Sequence, residues 1–250
     1  MQKSVFLVFT LLVFLSCKKD PEIKQPEIVV TNDVDVNVTN VVGAMPLALN
    51  TQTYINANQD TFTVSLFKYY ISNIRLYRQD GFIFEEAESY HLVSEDDSIS
   101  RNFRIKNVPV GNYTGIEFII GVDSLRNCSG AQSGALDPLN DMFWDWSQGY
   151  IFAKLQGTYS YNNLSYTHHV GGFIGQWSAI VRSNPTLGSN TLVVGTAHSP
   201  KILMKADVLE WFVNPTVIDL QGYASLAIGK KSHEVAENYA DMFSVSSIQN

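Results

Sequence analysis

Asp33-Val34-Asp35-Val36-Asn37-Val38-Thr39 alternates polar and apolar side chains without a break. Successive residues of a strand point to opposite faces, so this spacing buries Val34, Val36 and Val38 on one side and wets the other. Thr61 to Leu66 repeats the pattern through Phe62, Val64 and Leu66. Outward from these two, β-branched or aromatic segments follow at Tyr69 to Tyr77, Tyr90 to Val93, Phe103 to Ile105, Gly115 to Gly121 and Gly149 to Gln156. They continue at Ser165 to Val170, Ser178 to Val181, Thr191 to Gly195 and Lys201 to Val208, punctuated by Asp80-Gly81, Val110-Gly111-Asn112 and Asn184-Pro185. Many short strands with almost no helical period predict an all-β fold, a single antiparallel β-sandwich with Greek-key-like connections. One short C-terminal helix is expected, N-capped by Ser232 and carrying Val235, Tyr239, Met242 and Phe243 on one face. No repeat and no Pro/Gly/Ser linker divides the chain, so residues 29–250 read as one domain, a size usual for all-β folds.

The N-terminus has a different composition. Lys3 precedes an apolar run from Val5 to Leu15 that ends in Ser16-Cys17. The run falls short of the roughly 20 residues that span a bilayer, and a small residue before cysteine marks a cleavage site. Residues 1–16 are therefore expected to be a lipoprotein signal peptide, with Cys17 as the lipidation point and membrane attachment through its acyl chains. Residues 17–28, with Pro21, Pro26 and several charges, read as a lipidated flexible tether. Within it, Lys18-Lys19-Asp20-Pro21-Glu22 resembles the surface-export signal of Bacteroidetes lipoproteins. That implies an outer-membrane lipoprotein, periplasmic or surface-exposed.

The net charge is −7 with acidic residues spread along the chain, which leaves no footprint for a phosphate backbone and predicts no nucleic-acid partner. Of two cysteines, one is taken by the lipid, so Cys128 has no partner for a disulfide. The sequence holds no nucleophile elbow, P-loop, zinc-protease helix or dinucleotide fingerprint, and the expectation is a protein that is not an enzyme.

The stretch from Gly121 to Gly157 places Trp144 and Trp146, two of the chain's four tryptophans, one residue apart. In a strand both indoles would share a face, with Phe143 and Asp145 on the other; the pair is either a core plug or part of a site. Five histidines are present, His91, His168, His169, His198 and His233. His168 and His169 would point to opposite faces of a strand, so only one of them can serve a given metal. For each residue an ordinary structural role stands beside the functional one: a core imidazole satisfied by a carbonyl, a buried inert thiol at Cys128, a solvated loop at Glu95-Asp96-Asp97. Asp123 and Asp137 are expected to bond backbone amides at turns.

Several segments carry a family likeness in order: Phe67-Lys68-Tyr69-Tyr70-Ile71-Ser72-Asn73-Ile74, Gly111-Asn112-Tyr113, Ile119-Ile120-Gly121-Val122-Asp123-Ser124, the tryptophan run, His169-Val170-Gly171-Gly172, and Asn238-Tyr239-Ala240-Asp241-Met242-Phe243. From roughly residue 27 to 245 the chain resembles the MbnP-like family of methanobactin-associated, copper-binding envelope proteins. The resemblance implies copper as the ligand, a tryptophan oxidised to kynurenine as one donor, and a dihaem oxidase of the MbnH type as the partner that makes it. His169 falls on the family's His-x-Gly segment, and Trp144 or Trp146 on the modified tryptophan. Asn127-Cys128 stands where the family pattern has an Asn-His pair, so a Cys128 thiolate would replace an imidazole. The expected metal residues are thus His169, Trp144, Trp146 and Cys128, in a lipid-anchored protein that holds or relays copper. The competing expectation is a surface β-sandwich module that binds a protein or glycan partner and no metal.

Overall fold

The computed structural model describes residues 29–130, 132–160 and 162–250; the expected signal peptide, Cys17 and the tether lie outside them. The first half of the chain forms β1 (Thr31–Val42), β2 (Met45–Pro46), β3 (Thr53–Ile55), β4 (Thr61–Thr63), β5 (Leu66–Arg78), β6 (Ile83–Glu85), β7 (Tyr90–Ser94), β8 (Asn102–Pro109) and β9 (Gly111–Ile120). A short helix α1 (Ser124–Asn127) and two 3-10 turns lead into β10 (Phe143–Asp145), β11 (Gly149–Tyr159), β12 (Leu164–Gly171), β13 (Val181–Ser183), β14 (Leu192–Val194) and β15 (Lys201–Asp207). A 3-10 turn at Val208–Phe212, β16 (Ser225–Ile228), α2 (Lys230–Tyr239) and β17 (Phe243–Gln249) complete it.

The strands make two sheets. The smaller runs β17-β15-β1-β2, with β8 also paired to β1; the larger runs β13-β9-β5-β11-β12-β16, with the short strands attached along it. The all-β expectation holds, and most pairs are antiparallel. Two are parallel, β1 with β15 and β12 with β16, each made possible by a long connection between its partners. The alternation that opened the sequence places Val34, Val36 and Val38 in the core. Rings bridge the sheets: Phe243 of β17 packs at 5.5 Å on Tyr69 and at 5.0 Å on Phe118. The Tyr69 hydroxyl crosses the same gap to donate to Asn40 Oδ1 at 2.8 Å, which satisfies a polar group that burial would otherwise penalise.

Three details differ from the sequence reading. Ser232 does not cap α2; Gly229 holds the cap position with φ +127° and no side-chain bond. Ser232 lies inside the helix, buried, where its hydroxyl accepts from Gly171 N at 3.0 Å and donates to Gly171 O at 3.1 Å. Ser232 thereby ties the helix to the end of β12. Val235 and Tyr239 are buried as expected, but the helix stops at Tyr239, and Met242 and Phe243 are buried from the chain that leaves it. The expected strand at Ser178 to Val181 forms instead at Val181–Ser183.

Candidate functional site

Between β9 and β11 the chain leaves the large sheet, folds back over its outer face and returns. Asp123 starts this excursion: its Oδ1 accepts from Leu125 N at 3.0 Å and Arg126 N at 3.2 Å, which N-caps α1. Asp137 does the same for the second 3-10 turn, accepting from Leu139 N at 2.9 Å, so both carboxylates bond backbone amides as expected. Asn127 is buried, with Nδ2 donating to Val122 O and Asp123 O, and Oδ1 accepting from Tyr150 N at 2.8 Å. It ties both ends of the excursion together. A Cβ on Gly149 would stand 2.3 Å from Asn127 Oδ1, and the backbone there has φ +76°, so only glycine fits. Two tyrosines of the sheet hold the middle: Tyr70 Oη donates to Ala135 O at 2.9 Å and Tyr150 Oη to Leu136 O at 2.6 Å.

The two tryptophans do not share a face. Asp145 Oδ1 accepts from Ser147 N at 2.7 Å, Ser147 Oγ at 2.7 Å and Gln148 N at 2.9 Å, an Asx turn that ends β10 before Trp146 and breaks the two-residue period. Trp146 sits on the turn, 62 % exposed, edge-on to Phe143 at 5.3 Å. It lies by Gly130, two residues from Cys128. Trp144 is half-buried and reaches across to β12, where its six-membered ring takes the space a Cβ on Gly171 would need. Gly171 is two residues, about 7 Å of strand, from His169. The expected quartet therefore divides in two: Trp144 packs on the strand that carries His169, and Trp146 lies by Gly130, in the loop that follows Cys128. Cys128 is exposed at the C-cap of α1, not buried.

His168 and His169 do face opposite ways. His168 is fully buried, with Nδ1 accepting from Trp211 Nε1 at 2.9 Å and Nε2 donating to Tyr223 O at 2.7 Å. Both ring nitrogens are used, and burial lowers its pKa to about 4. His169 is half-exposed on the outer face, with Nε2 2.6 Å from the Gln156 side-chain amide. Burial, then the nearby Lys154 ammonium, lower its pKa, while Asp141 opposes them. His169 ends a polar row across four strands: Ser94 of β7 pairs Lys68 of β5, Lys68 pairs Lys154 of β11, and Lys154 pairs His169 of β12. Lys154 is buried, and its ammonium donates to the Asp141 carbonyl and lies 2.8 Å from Asp141 Oδ2; this bond holds the Asp141 carboxyl below its usual range.

The remaining histidines serve the scaffold. His91 pairs with Glu86 at 2.9 Å and stacks on Phe103 at 4.1 Å; His233 bonds Ser178 O at 2.7 Å; His198 is exposed in a loop. Among the described residues no three His, Cys, Asp or Glu side chains gather as a metal set.

Comparison with known families assigns the chain. Residues 31–230 match the family model described as MbnP. The chain belongs to the MbnP family. Among solved structures, MbnP from Methylosinus trichosporium is similar, with 14 % identity, a TM-score of 0.49, and 81 % of this chain and 83 % of that one covered. No curated protein matches the sequence. Copper, which the family resemblance implies, finds no assembled donor set among the described residues of this MbnP-family chain. The donor set offers one half-exposed imidazole, at His169, and among the described residues lacks the three or four ligands of a closed site. Gln156 is its side-chain partner: the amide Nε2 donates to His169 Nε2 at 2.6 Å, which leaves the ring proton on Nδ1. Sequence reading passed over Lys154 and Asp141, and named Asn127 only as the neighbour of Cys128. Lys154 had a signal, since it is the one charge in the apolar run Tyr150-Ile151-Phe152-Ala153-Lys154-Leu155.

Proposed function

We propose that this MbnP-family protein binds copper(I) in the cell envelope and holds or relays it, without turning over a substrate. It is tethered through lipid on Cys17 to the outer membrane. The observation that carries the reading is the half-exposed His169, on the strand against which Trp144 packs. An intact indole donates only and cannot ligate; oxidation of Trp144 to kynurenine by a dihaem oxidase of the MbnH type would replace it with an aniline nitrogen and a ketone. Trp144 suits that role better than Trp146, because Trp146 stands on the other arm of the turn by Gly130. Cys128, exposed and two residues from Gly130, is set apart from His169 in this reading.

Protein isolated from its native envelope tests it. Copper should be retained, and a tryptic peptide containing Trp144 should show loss of one carbon and gain of one oxygen. His169→Ala should lose the copper with little change in melting temperature, and Cys17→Ser should leave the membrane fraction. Equal retention by wild type and His169→Ala, with both tryptophans unmodified, would defeat the copper reading. That result would favour a surface module for a protein or glycan, a reading that draws on Trp146, Ile174 and Trp177, all exposed.

A further inference from the structure

On the outer face of the large sheet, Lys68 of β5 and Leu92 of β7 floor a cavity of about 480 Å³ between the β7–β8 turn and the excursion. Both walls are held by side-chain bonds. In the turn, Ser100 Oγ accepts from Ser94 N at 2.9 Å and donates to Asp97 O at 2.7 Å; in the excursion, Asn140 Nδ2 donates to Gly134 O and Ala135 O, each at 2.9 Å. The charges inside are divided. Asp141 is taken by Lys154 at 2.8 Å, whereas Lys68 on the floor and Asp96 and Asp97 on the turn have no ion pair with each other or, among the described residues, with any other side chain. Opposite charges that share a cavity without meeting suit an occupant that carries both signs itself. Leu92 and Leu139, the second 92 % exposed at the lip, add apolar surface beside them.

We propose that this cavity binds a small zwitterion of the amino-acid class, with its carboxylate on the Lys68 ammonium, its ammonium on Asp96 and Asp97, and an aliphatic side chain against Leu92 and Leu139. A ligand of one sign is served worse. A plain anion at Lys68 faces the two carboxylates, and a plain cation at the carboxylates faces the ammonium. The volume falls within the roughly 300–1,000 Å³ of small-molecule sites, and the openness to solvent that screens these charges sets the affinity in the millimolar range. Lys154 stands between Lys68 and His169 in the polar row, so this site is separate from His169 and does not depend on the copper reading.

The test titrates full-length protein in detergent with L-leucine, followed by saturation-transfer NMR at about pH 6, where amino groups and carboxylates are both charged. Two analogues each lack one charge: leucinamide has no carboxylate, and N-acetyl-leucine has no ammonium. Leucine should saturate in the millimolar range, and each analogue should bind about tenfold more weakly, the worth of one charge-assisted hydrogen bond. Lys68→Met should weaken leucine by about the same factor and remove its advantage over leucinamide. Asp96→Asn combined with Asp97→Asn should instead remove its advantage over N-acetyl-leucine. No saturable binding of leucine, or equal binding of leucine and both analogues by wild type, overturns the proposal without recourse to any variant. Variants that melt like wild type and keep its discrimination place the ligand elsewhere, and overturn it as well.

Discussion

His168 and His169 are adjacent in sequence and opposite in chemistry, and the strand's two-residue period is the whole cause. One turns inward and gives both nitrogens to Trp211 and Tyr223; the other turns outward beside Lys154 and Gln156. The inward one makes stability depend on acid. Burial lowers the His168 pKa from 6.5 to about 4, so between those values the unfolded chain binds a proton that the folded one refuses. Stability is then full above about pH 6.5 and is lost as pH falls toward 4, by about 2–3 kcal/mol between pH 7 and pH 4.5. Urea unfolding at the two pH values measures it, and His168→Gln should flatten that part of the profile while lowering stability at pH 7. A His168→Gln profile as steep as wild type would place the acid sensitivity elsewhere.

At the scale of elements, the excursion from Gly121 to Gly149 depends on Asn127 more than on any apolar plug. Removing its amide strands the Tyr150 N–H and the Val122 carbonyl in a buried place, at a cost of about 2–4 kcal/mol. Asn127→Ala should therefore raise amide exchange from residue 122 to 148 well before the strands β5 and β9 lose protection, as hydrogen-exchange mass spectrometry would show. Uniform exchange across the domain would contradict that local role. The same elements show where sequence was legible. Strict alternation announced β1, whereas the Thr61 to Leu66 segment, though Phe62 and Val64 are buried, divides between β4 and the first residue of β5. The tryptophan run misled because Asp145 closes an Asx turn, and side-chain bonds to backbone amides leave no trace in hydrophobic period. β17 was missed for a related reason: its register shifts between Val245 and Ser247, so Phe243, Val245 and Ile248 do not keep one parity. Of the candidate residues, His169 was readable from alternation, but its setting was not. Lys154, Asp141 and Gln156 meet it across strands and loops far apart in the chain.

For the whole molecule, the chain's end closes its middle. β17 pairs β15 at the edge of the small sheet, and its first residue, Phe243, inserts between Tyr69 of β5 and Phe118 of β9 in the large one. β15 in turn runs beside β1, so the first and last described strands share one sheet and one core. No part of that arrangement can bury its inner face alone, which argues for a single cooperative unit. Phe243→Ala should cost about 3–5 kcal/mol, the usual result of deleting a buried ring that leaves a cavity. The loss should appear as a lower midpoint in one sharp transition, with the same curve by circular dichroism and by tryptophan fluorescence. Fluorescence reports mainly on Trp211, which packs at 6.0 Å from Phe67 and 4.9 Å from Tyr239 inside that core. Exposed Trp146 adds a signal from the excursion. Two separated transitions, or a protease-resistant fragment lacking residues 240–250, would mean that the sheets hold together without the C-terminal strand.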